Sequence, residues 1–171
     1  PYDDELGEIY TVGIFTVGTL NVEEIHTDPK KVIDAVYHAS KWIVKDNKFL
    51  VTLGGEHSIS QGAIKAYKEK YKRLSVLQLD AHLDLMEQFG GTRHSHASVS
   101  RRVVEDLGCK VTSFGVRVVS REEHKFFKKH KDVVSVFFAK DIHDNDSWHE
   151  EAIDTLEDNV YITLDVDGLD P

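Results

Sequence analysis

Apolar and polar positions recur along the chain with two periods, one typical of strands and one typical of helices. Continuous apolar and β-branched runs predict buried parallel strands, and apolar residues three and four positions apart predict amphipathic helices. The predicted strands are 9–17, 48–53, 74–79, 110–118, 132–138 and 160–166. The predicted helices are 29–45, a segment from Ser58 or Ser60 to about 70, then 97–107, 120–130 and 147–157, with 85–95 as a loop.

This alternation of strands and helices predicts an α/β fold. Right-handed crossovers between successive strands give a parallel sheet that helices cover on both faces. In such sheets, ligands bind at the carboxyl ends of the strands. A chain of 171 residues has the length of one domain with a core of its own.

Two predicted strands end in residues that commonly bind metals. Asp80, His82 and Asp84 follow the strand 74–79, and Asp165 and Asp167 end the strand 160–166. Alternate side chains of an extended segment point the same way, so each set is expected to project together. Charges at the ends of buried strands are costly unless they are paired or bind a metal, and no Lys or Arg lies close in sequence. Helix capping or simple exposure to solvent is the alternative for each Asp.

Histidines after two glycine-containing segments extend this set. His57 follows Gly54-Gly55, where the glycines permit a tight backbone turn, and His96 lies in Ser95-His96-Ala97. Carboxylate and imidazole ligands without thiolate suit Mn²⁺, and a closed structural zinc site would need more cysteines than this chain has. The pattern therefore indicates a hydrolytic site with two metal ions.

Composition narrows the classes of partner. A formal net charge of −9 argues against binding to nucleic acid or to an anionic membrane and suits a small cationic substrate. Cys109 is the only cysteine, which excludes an intrachain disulfide and favours a reducing compartment. The sequence has neither a stretch of about 20 apolar residues nor a recognisable signal peptide, so we expect a cytoplasmic protein.

Three sequence blocks resemble the signatures of the ureohydrolase (arginase/agmatinase) family. They are Gly54-Gly55-Glu56-His57-Ser58, Asp80-Ala81-His82-Leu83-Asp84 and Asp165-Val166-Asp167-Gly168-Leu169-Asp170-Pro171. The resemblance covers most of the chain and implies a three-layer α/β/α sandwich on a mainly parallel sheet. Because the sequence stops just after a strand, we expect residues 1–171 to be a single ureohydrolase domain that lacks its C-terminal part.

The resemblance also implies a pair of Mn²⁺ ions in each subunit. The ligands of one ion would be His57, Asp80, Asp84 and Asp165, and those of the other Asp80, His82, Asp165 and Asp167, with Asp80 and Asp165 bridging. A hydroxide between the ions, which Asp84 helps to orient, would attack the guanidinium carbon of the substrate. His96 matches the proton-shuttling histidine of the family, with His94 as the alternative.

The same resemblance favours one substrate without excluding others. Glu56 and the context of His96 look like agmatinase, which hydrolyses agmatine to putrescine and urea. Arginase, guanidinobutyrase and formimidoylglutamase activities are the alternatives, and a metal-binding but inactive fragment is a further one from another class. A deacetylase on a related fold is disfavoured because it is not expected to carry these blocks. Family members form trimers or hexamers, and their guanidinium-binding glutamate would lie beyond Pro171.

Overall fold

The computed structural model describes residues 2–3, 7–9, 13–142 and 144–169. The strands are β1 (Tyr2–Asp3), β2 (Glu8–Ile9), β3 (Leu74–Leu79), β4 (Lys110–Val116), β5 (Val134–Phe138) and β6 (Asn159–Leu164). The helices are α1 (Pro29–Lys45), α2 (Ser60–Lys70), α3 (Val99–Glu105), α4 (Arg121–Lys129), α5 (Ala139–Ile142) and α6 (Trp148–Asp154). Single 3-10 turns span His57–Ile59, His96–Ser98 and Val166–Gly168.

The main sheet has four parallel strands in the order β5-β4-β3-β6. β3 lies in the interior of the sheet, where Gln78 is aligned with Ser113 of β4 on one side and with Thr163 of β6 on the other. β1 and β2 form a separate antiparallel pair. The prediction of a parallel α/β sheet is therefore confirmed, and its central strand is the one that precedes Asp80.

Helices lie on both sides of this sheet. On one face, Ile64 of α2 and Val103 of α3 pack against Val76 and Val111. The phenylalanines of α4 join the same layer around Val116 and Val134. On the opposite face, the Trp148 ring of α6 packs against Phe114, with ring centroids 5.2 Å apart. The result is the three-layer arrangement that the sequence predicts.

Local signals at two helix starts explain why these helices begin where they do. The Asp28 side chain accepts a hydrogen bond from the backbone N–H of Lys31, and Pro29 occupies the first turn of α1. At α4, Ser120 and Glu123 form a reciprocal capping box, in which each side chain accepts a hydrogen bond from the other residue's backbone N–H.

Two predicted strands are wrong over nearly all of their described residues; only Ile9, at the end of β2, lies in a strand. Residues 13–17 and 48–53 have no regular secondary structure, and residues 10–12 of the first prediction lie outside the described residues. Both segments contain apolar side chains that are almost fully exposed, among them Ile14 and Phe49. Their composition favours extended backbone, but neither segment pairs with a strand of the described sheet.

Coverage of the sheet is also less complete than predicted. Val160, Ile162 and Leu164 are exposed and alternate along β6 with half-buried residues, so one face of this edge strand has no helix over it in the described structure. A further difference is the short helix Ala139–Ile142, which lies between the predicted strand 132–138 and the predicted helix 147–157, where the sequence predicts no helix. Within the described ranges, none of the helices combines the length and apolar character that a membrane span requires.

The contact between α1 and α2 depends on one glycine. A Cβ atom at Gly62 would lie 2.4 Å from the carbonyl oxygen of Ile33 and 2.8 Å from the backbone nitrogen of Tyr37. We therefore expect Gly62→Ala to force the helices apart and to lower the free energy of unfolding by about 2 kcal/mol, although alanine is the better helix former. Urea denaturation of the full-length protein measures this loss. Gly18→Ala is the control because its Cβ atom would meet open space, and equal midpoints for the two variants would contradict the prediction.

Candidate metal centre

The carboxyl ends of β3 and β6 bring the two aspartate-containing segments together. The backbone N–H of Asp165 donates to the carbonyl oxygen of Leu79 over 2.9 Å, which continues the ladder one step beyond the strands. Gly168 makes this approach possible, because a Cβ atom there would lie 2.7 Å from the backbone nitrogen of Asp80. Gly115 of β4 has a φ of +86° and would place a Cβ atom 3.1 Å from the Gly168 carbonyl oxygen. Glycine is thus required on both sides of the contact.

Turns, rather than the predicted extended alternation, make the side chains converge. β3 ends at Leu79, and Asp84 has a φ of +53°, in the left-handed region. Beyond β6, the side chain of Asp165 caps a 3-10 turn by accepting a hydrogen bond from the backbone N–H of Asp167. In turn, the Asp167 side chain accepts a hydrogen bond from the backbone N–H of Ala81, which connects the two turns directly.

His57 reaches the same place from the turn that follows Gly54-Gly55. Its Nδ1 atom lies 2.7 Å from Oδ2 of Asp84 and 3.4 Å from Oδ2 of Asp80. Its Nε2 atom lies 3.0 Å from the Thr163 hydroxyl of β6. Glu56 starts this 3-10 turn, and its carboxylate accepts hydrogen bonds from the backbone N–H and the hydroxyl of Ser58. The imidazole is therefore held at both nitrogens.

Two groups of these side chains have the spacing of metal ligands. His57, Asp80 and Asp165 form one group, and Asp80, His82 and Asp167 form the other; within each group, the potential ligand atoms lie within 4.8 Å of one another. Asp80 belongs to both. Carboxylate oxygens and imidazole nitrogens without a thiol are a set that suits Mn²⁺ and similar divalent ions, so the residues present fit a two-metal centre.

Electrostatics give a second indication that cations belong here. Burial, reinforced by the negative charge of Asp84, raises the pKa of Asp80 to about 6, and burial also raises the pKa of Asp84. Burial disfavours the charged form of His57, but the hydrogen bond to Asp84 and the charges of Asp84 and Asp80 outweigh it and raise the pKa of His57. Without cations, the cluster therefore retains protons that metal binding would displace.

The cluster lies at the bottom of a cavity of about 600 Å³. His96 lines this cavity, with its Nδ1 atom 3.4 Å from Oε1 of Glu56 and its ring against Phe89. His94 is outside the lining; its Nδ1 atom lies 3.5 Å from the side-chain oxygen of Gln61. The full lining is Gly55, Glu56, His57, Asp80, His82, Asp84, Met86, Phe89, His96, Ala97, Val118, Val119, Ser120, Glu123, Asp165 and Asp167.

Comparison with known proteins decides the family. A sequence profile of the arginase family matches residues 1–171. The chain belongs to the arginase family. It is 35% identical to the N(1)-aminopropylagmatine ureohydrolase of a Synechocystis strain, over 99% of this chain and 56% of that protein. It is 32% identical to the agmatinase of Bacillus subtilis, over 84% of this chain and 48% of that protein.

Solved structures of the arginase family share the fold. The agmatine ureohydrolase of Thermoplasma volcanium superposes with a TM-score of 0.72 at 37% identity, covering 84% of this chain and 48% of that one. An arginase from Bacillus cereus gives a TM-score of 0.73 at 27% identity, covering 84% of this chain and 57% of that one. This chain therefore spans about half the length of the relatives that it matches.

The sequence did not indicate several residues that shape this arginase-family site. Glu123 of α4 accepts a hydrogen bond from the backbone N–H of Leu85 and lines the cavity, so it holds the loop that follows Asp84. Arg117, which follows β4, braces the backbone: its guanidinium donates to the backbone carbonyls of Gly115, Asp167 and Leu169. Both roles depend on contacts between distant segments, which sequence spacing does not show.

The raised pKa values predict how the stability of metal-free protein depends on pH. A carboxyl whose pKa rises from 3.8 to about 6 on folding stabilises the folded state below pH 3.8, and this contribution is lost as the pH rises to about 6. Asp84 acts in the same direction, and the contribution of His57 is lost as the pH rises from 6.5 through its raised pKa. Above these pH values, the ionised Asp80 destabilises the metal-free fold.

Asp80→Asn tests this effect. We expect a gain of about 1 kcal/mol in the free energy of unfolding at about pH 7.5, and none at about pH 3.5. The gain is smaller than the pKa shift alone suggests, because asparagine loses one of the two hydrogen bonds that the carboxylate accepts. Urea denaturation of chelator-treated full-length protein across this pH range measures it. Asp132→Asn, at an exposed position, is the matched control, and a gain that does not depend on pH would contradict the prediction.

Proposed function

We propose that this arginase-family protein is a Mn²⁺-dependent amidinohydrolase that hydrolyses agmatine to putrescine and urea. The observation that supports the proposal most is the pair of ligand groups that share Asp80 at the bottom of the cavity. The proposed ligands are His57, Asp80, His82, Asp84, Asp165 and Asp167, and the proposed proton-transfer residue is His96. When bound, two cations supply Lewis-acid activation of a water molecule for attack on the guanidinium carbon.

Charge in the cavity supports a cationic guanidino substrate. Among the described lining residues there are several carboxylates and neither Lys nor Arg. Bound cations would neutralise the proposed aspartate ligands among them, which leaves Glu56 and Glu123 to attract a guanidinium group. With neither Lys nor Arg in the described lining to pair with an α-carboxylate, the cavity favours agmatine over arginine. Met86, Phe89, Val118 and Val119 add apolar surface on which an aliphatic chain can lie.

His96 is placed to exchange protons with solvent. Its side chain is about half exposed, and Glu56 lies within ion-pair distance of Nδ1. An imidazole can donate a proton from one ring nitrogen and accept one at the other, so His96 can pass a proton to the leaving amine and recover one from water. Apart from its charge in the cavity, we assign Glu56 two roles only: this contact with His96, and capping of the 3-10 turn that begins at His57.

N(1)-aminopropylagmatine is a second candidate substrate. The chain is 35% identical to a relative that is named for this activity. The molecule contains the guanidino group and the aliphatic chain of agmatine and has no carboxylate, so the same cavity features suit it. Cytoplasmic location is a further prediction, made from cysteine usage and the lack of a recognisable signal peptide. Assembly as a trimer or hexamer is predicted from the family resemblance, as is a guanidinium-binding glutamate downstream of Pro171.

Product release from a panel of substrates tests the proposal. The purified full-length protein, loaded with Mn²⁺, is offered agmatine, N(1)-aminopropylagmatine, arginine, guanidinobutyrate and formimidoylglutamate. We expect urea from the first two at a kcat/KM well above that for arginine and guanidinobutyrate, and no formamide from formimidoylglutamate. Preference for a carboxylate-containing substrate would contradict the charge argument. Two bound metal ions without turnover of any compound would favour the metal-binding, inactive alternative.

Two histidine variants separate metal binding from proton transfer. His57→Ala should lower the number of Mn²⁺ ions retained after dialysis, because it removes a ligand and the partner of Asp84. His96→Ala should retain the full number of ions and lower kcat about 100-fold, the usual scale for loss of a general acid. Metal analysis and urea assays of the two proteins provide the readouts. His124→Ala on the exposed side of α4 is the control, and loss of metal in the His96 variant would overturn its assignment.

A further inference from the structure

A row of polar side chains lies directly behind the ligands in the sheet. Ser113, Gln78 and Thr163 are register neighbours on β4, β3 and β6. Gln78 and Thr163 each precede by two positions the proposed ligand that follows their strand, Asp80 after β3 and Asp165 after β6. Gln78 has no exposed surface and Ser113 is 1% exposed, although the layer beneath them is apolar. Burying polar groups here is costly unless their hydrogen bonds are satisfied.

The hydrogen bonds of Gln78 fix the direction of its amide. Its Oε1 atom accepts hydrogen bonds from the hydroxyls of Ser100, over 2.7 Å, and Ser113, over 3.0 Å. Its Nε2 atom donates to Oδ2 of Asp80 over 2.9 Å. The reverse orientation would place a carbonyl oxygen against the ionised carboxylate, and neither group could donate a hydrogen bond. The Asp80 carboxylate therefore sets the direction of the amide, and the two serine hydroxyls, as donors to Oε1, hold the amide in that direction.

This contact fixes the carboxylate that both ligand groups share. Oδ2 of Asp80 accepts the hydrogen bond from Gln78, and Oδ1 accepts one from the backbone N–H of His82 over 2.7 Å. Asp80 itself is 1% exposed. With one donor on each oxygen, rotation of the carboxylate would break a hydrogen bond, while each oxygen retains capacity for a cation.

Thr163 has the same relation to His57. Its hydroxyl lies 3.0 Å from Nε2 of the imidazole, while Nδ1 faces Asp84 and Asp80. In the neutral imidazole that binds a metal, a threonine hydroxyl that accepts the Nε2 proton leaves the Nδ1 lone pair available to a cation. Partners that hold the outer nitrogen of a metal-binding histidine fix its tautomer and its ring orientation.

We propose that Gln78 and Thr163 are positioning residues that orient Asp80 and His57 for metal binding, with Ser100 and Ser113 fixing the amide of Gln78. The inference rests on the metal centre of the proposed function and deepens it. This role explains why polar side chains are buried in a layer that is otherwise apolar. Their burial is costly, and the orientation of the ligands is the benefit that offsets this cost.

Mn²⁺ affinity tests the inference. Gln78→Met in the full-length protein retains side-chain length but removes the donor to Asp80, and we expect Mn²⁺ binding to weaken about 10- to 100-fold. Isothermal titration of chelator-treated protein gives the affinity, and urea denaturation of the same samples gives the stability. Thr112→Val is the matched control. Thr112, on β4, is as buried as Gln78, but its hydroxyl contacts Thr155 on the other face of the sheet. It should lose stability and retain the wild-type affinity.

A second pair of variants does not depend on Gln78→Met folding. Thr163→Val should weaken Mn²⁺ binding, and Thr163→Ser, which retains the hydroxyl, should restore it to within about 3-fold of wild type. A purely structural role would lower stability in the valine variant and leave affinity unchanged, and that result overturns the inference. Wild-type protein that binds no Mn²⁺ overturns the proposed function and this inference together, whereas wild-type binding with unchanged variants overturns this inference alone.

Discussion

The repulsion among buried carboxylates is the constraint on which the rest of this site depends. Asp80 and Asp84 lie beside His57 in a part of the molecule where little water can screen their charges. Like charges in such surroundings raise each other's pKa, and burial raises it further. The protein compensates in part through the imidazole, through backbone N–H donors and through Gln78. Divalent cations are the ligands that could neutralise the remainder, which is why the cluster is better explained as a binding site than as a structural ion-pair network.

Close backbone contacts determine how near the two aspartate segments can come. The turn after β6 lies against the start of the turn after β3, with Gly168 at the contact and Gly115 of β4 on its other side. Any Cβ atom at Gly168 would collide with the backbone of Asp80, so a side chain there would separate Asp80 from Asp165. The third sequence block therefore requires its glycine for geometry, while its aspartates are the proposed ligands.

Sequence patterns predicted the interior strands well because their signal is local. Residues 74–79 read as a continuous apolar run, and the structure has Leu74–Leu79 as a strand. Residues 13–17 and 48–53 have similar composition but no partner in the described sheet. Composition indicates whether backbone can be extended, whereas a strand also needs a neighbour, and pairing between distant segments is not encoded locally. The two strand predictions are therefore wrong because neither segment has a neighbouring strand with which to pair.

In the site, too, the features that depend on neighbouring residues were predictable from the sequence, and those that depend on distant segments were not. Spacing correctly suggested that Asp80, His82 and Asp84 lie near one another, but it attributed this to an extended segment, whereas the backbone turns at Asp84. No spacing rule links Gln78 to Ser100 or Thr163 to His57, since these contacts join separate elements. One signal was available: a polar residue two positions before a ligand in a buried strand shares its face, and both Gln78 and Thr163 fit that pattern.

Apolar packing anchors the turn after β3 in the candidate metal centre. Leu83, between His82 and Asp84, has no exposed surface and packs in the cluster of α4 phenylalanines with Leu85 and Val116. Burial of a leucine side chain contributes about 2 kcal/mol, and here it anchors the turn that directs Asp84 toward His57. Ligands mounted on anchored turns lose little conformational entropy when a cation binds. Leu83, inside the second sequence block, thus contributes to the candidate metal centre although its side chain has no atom that binds a metal ion.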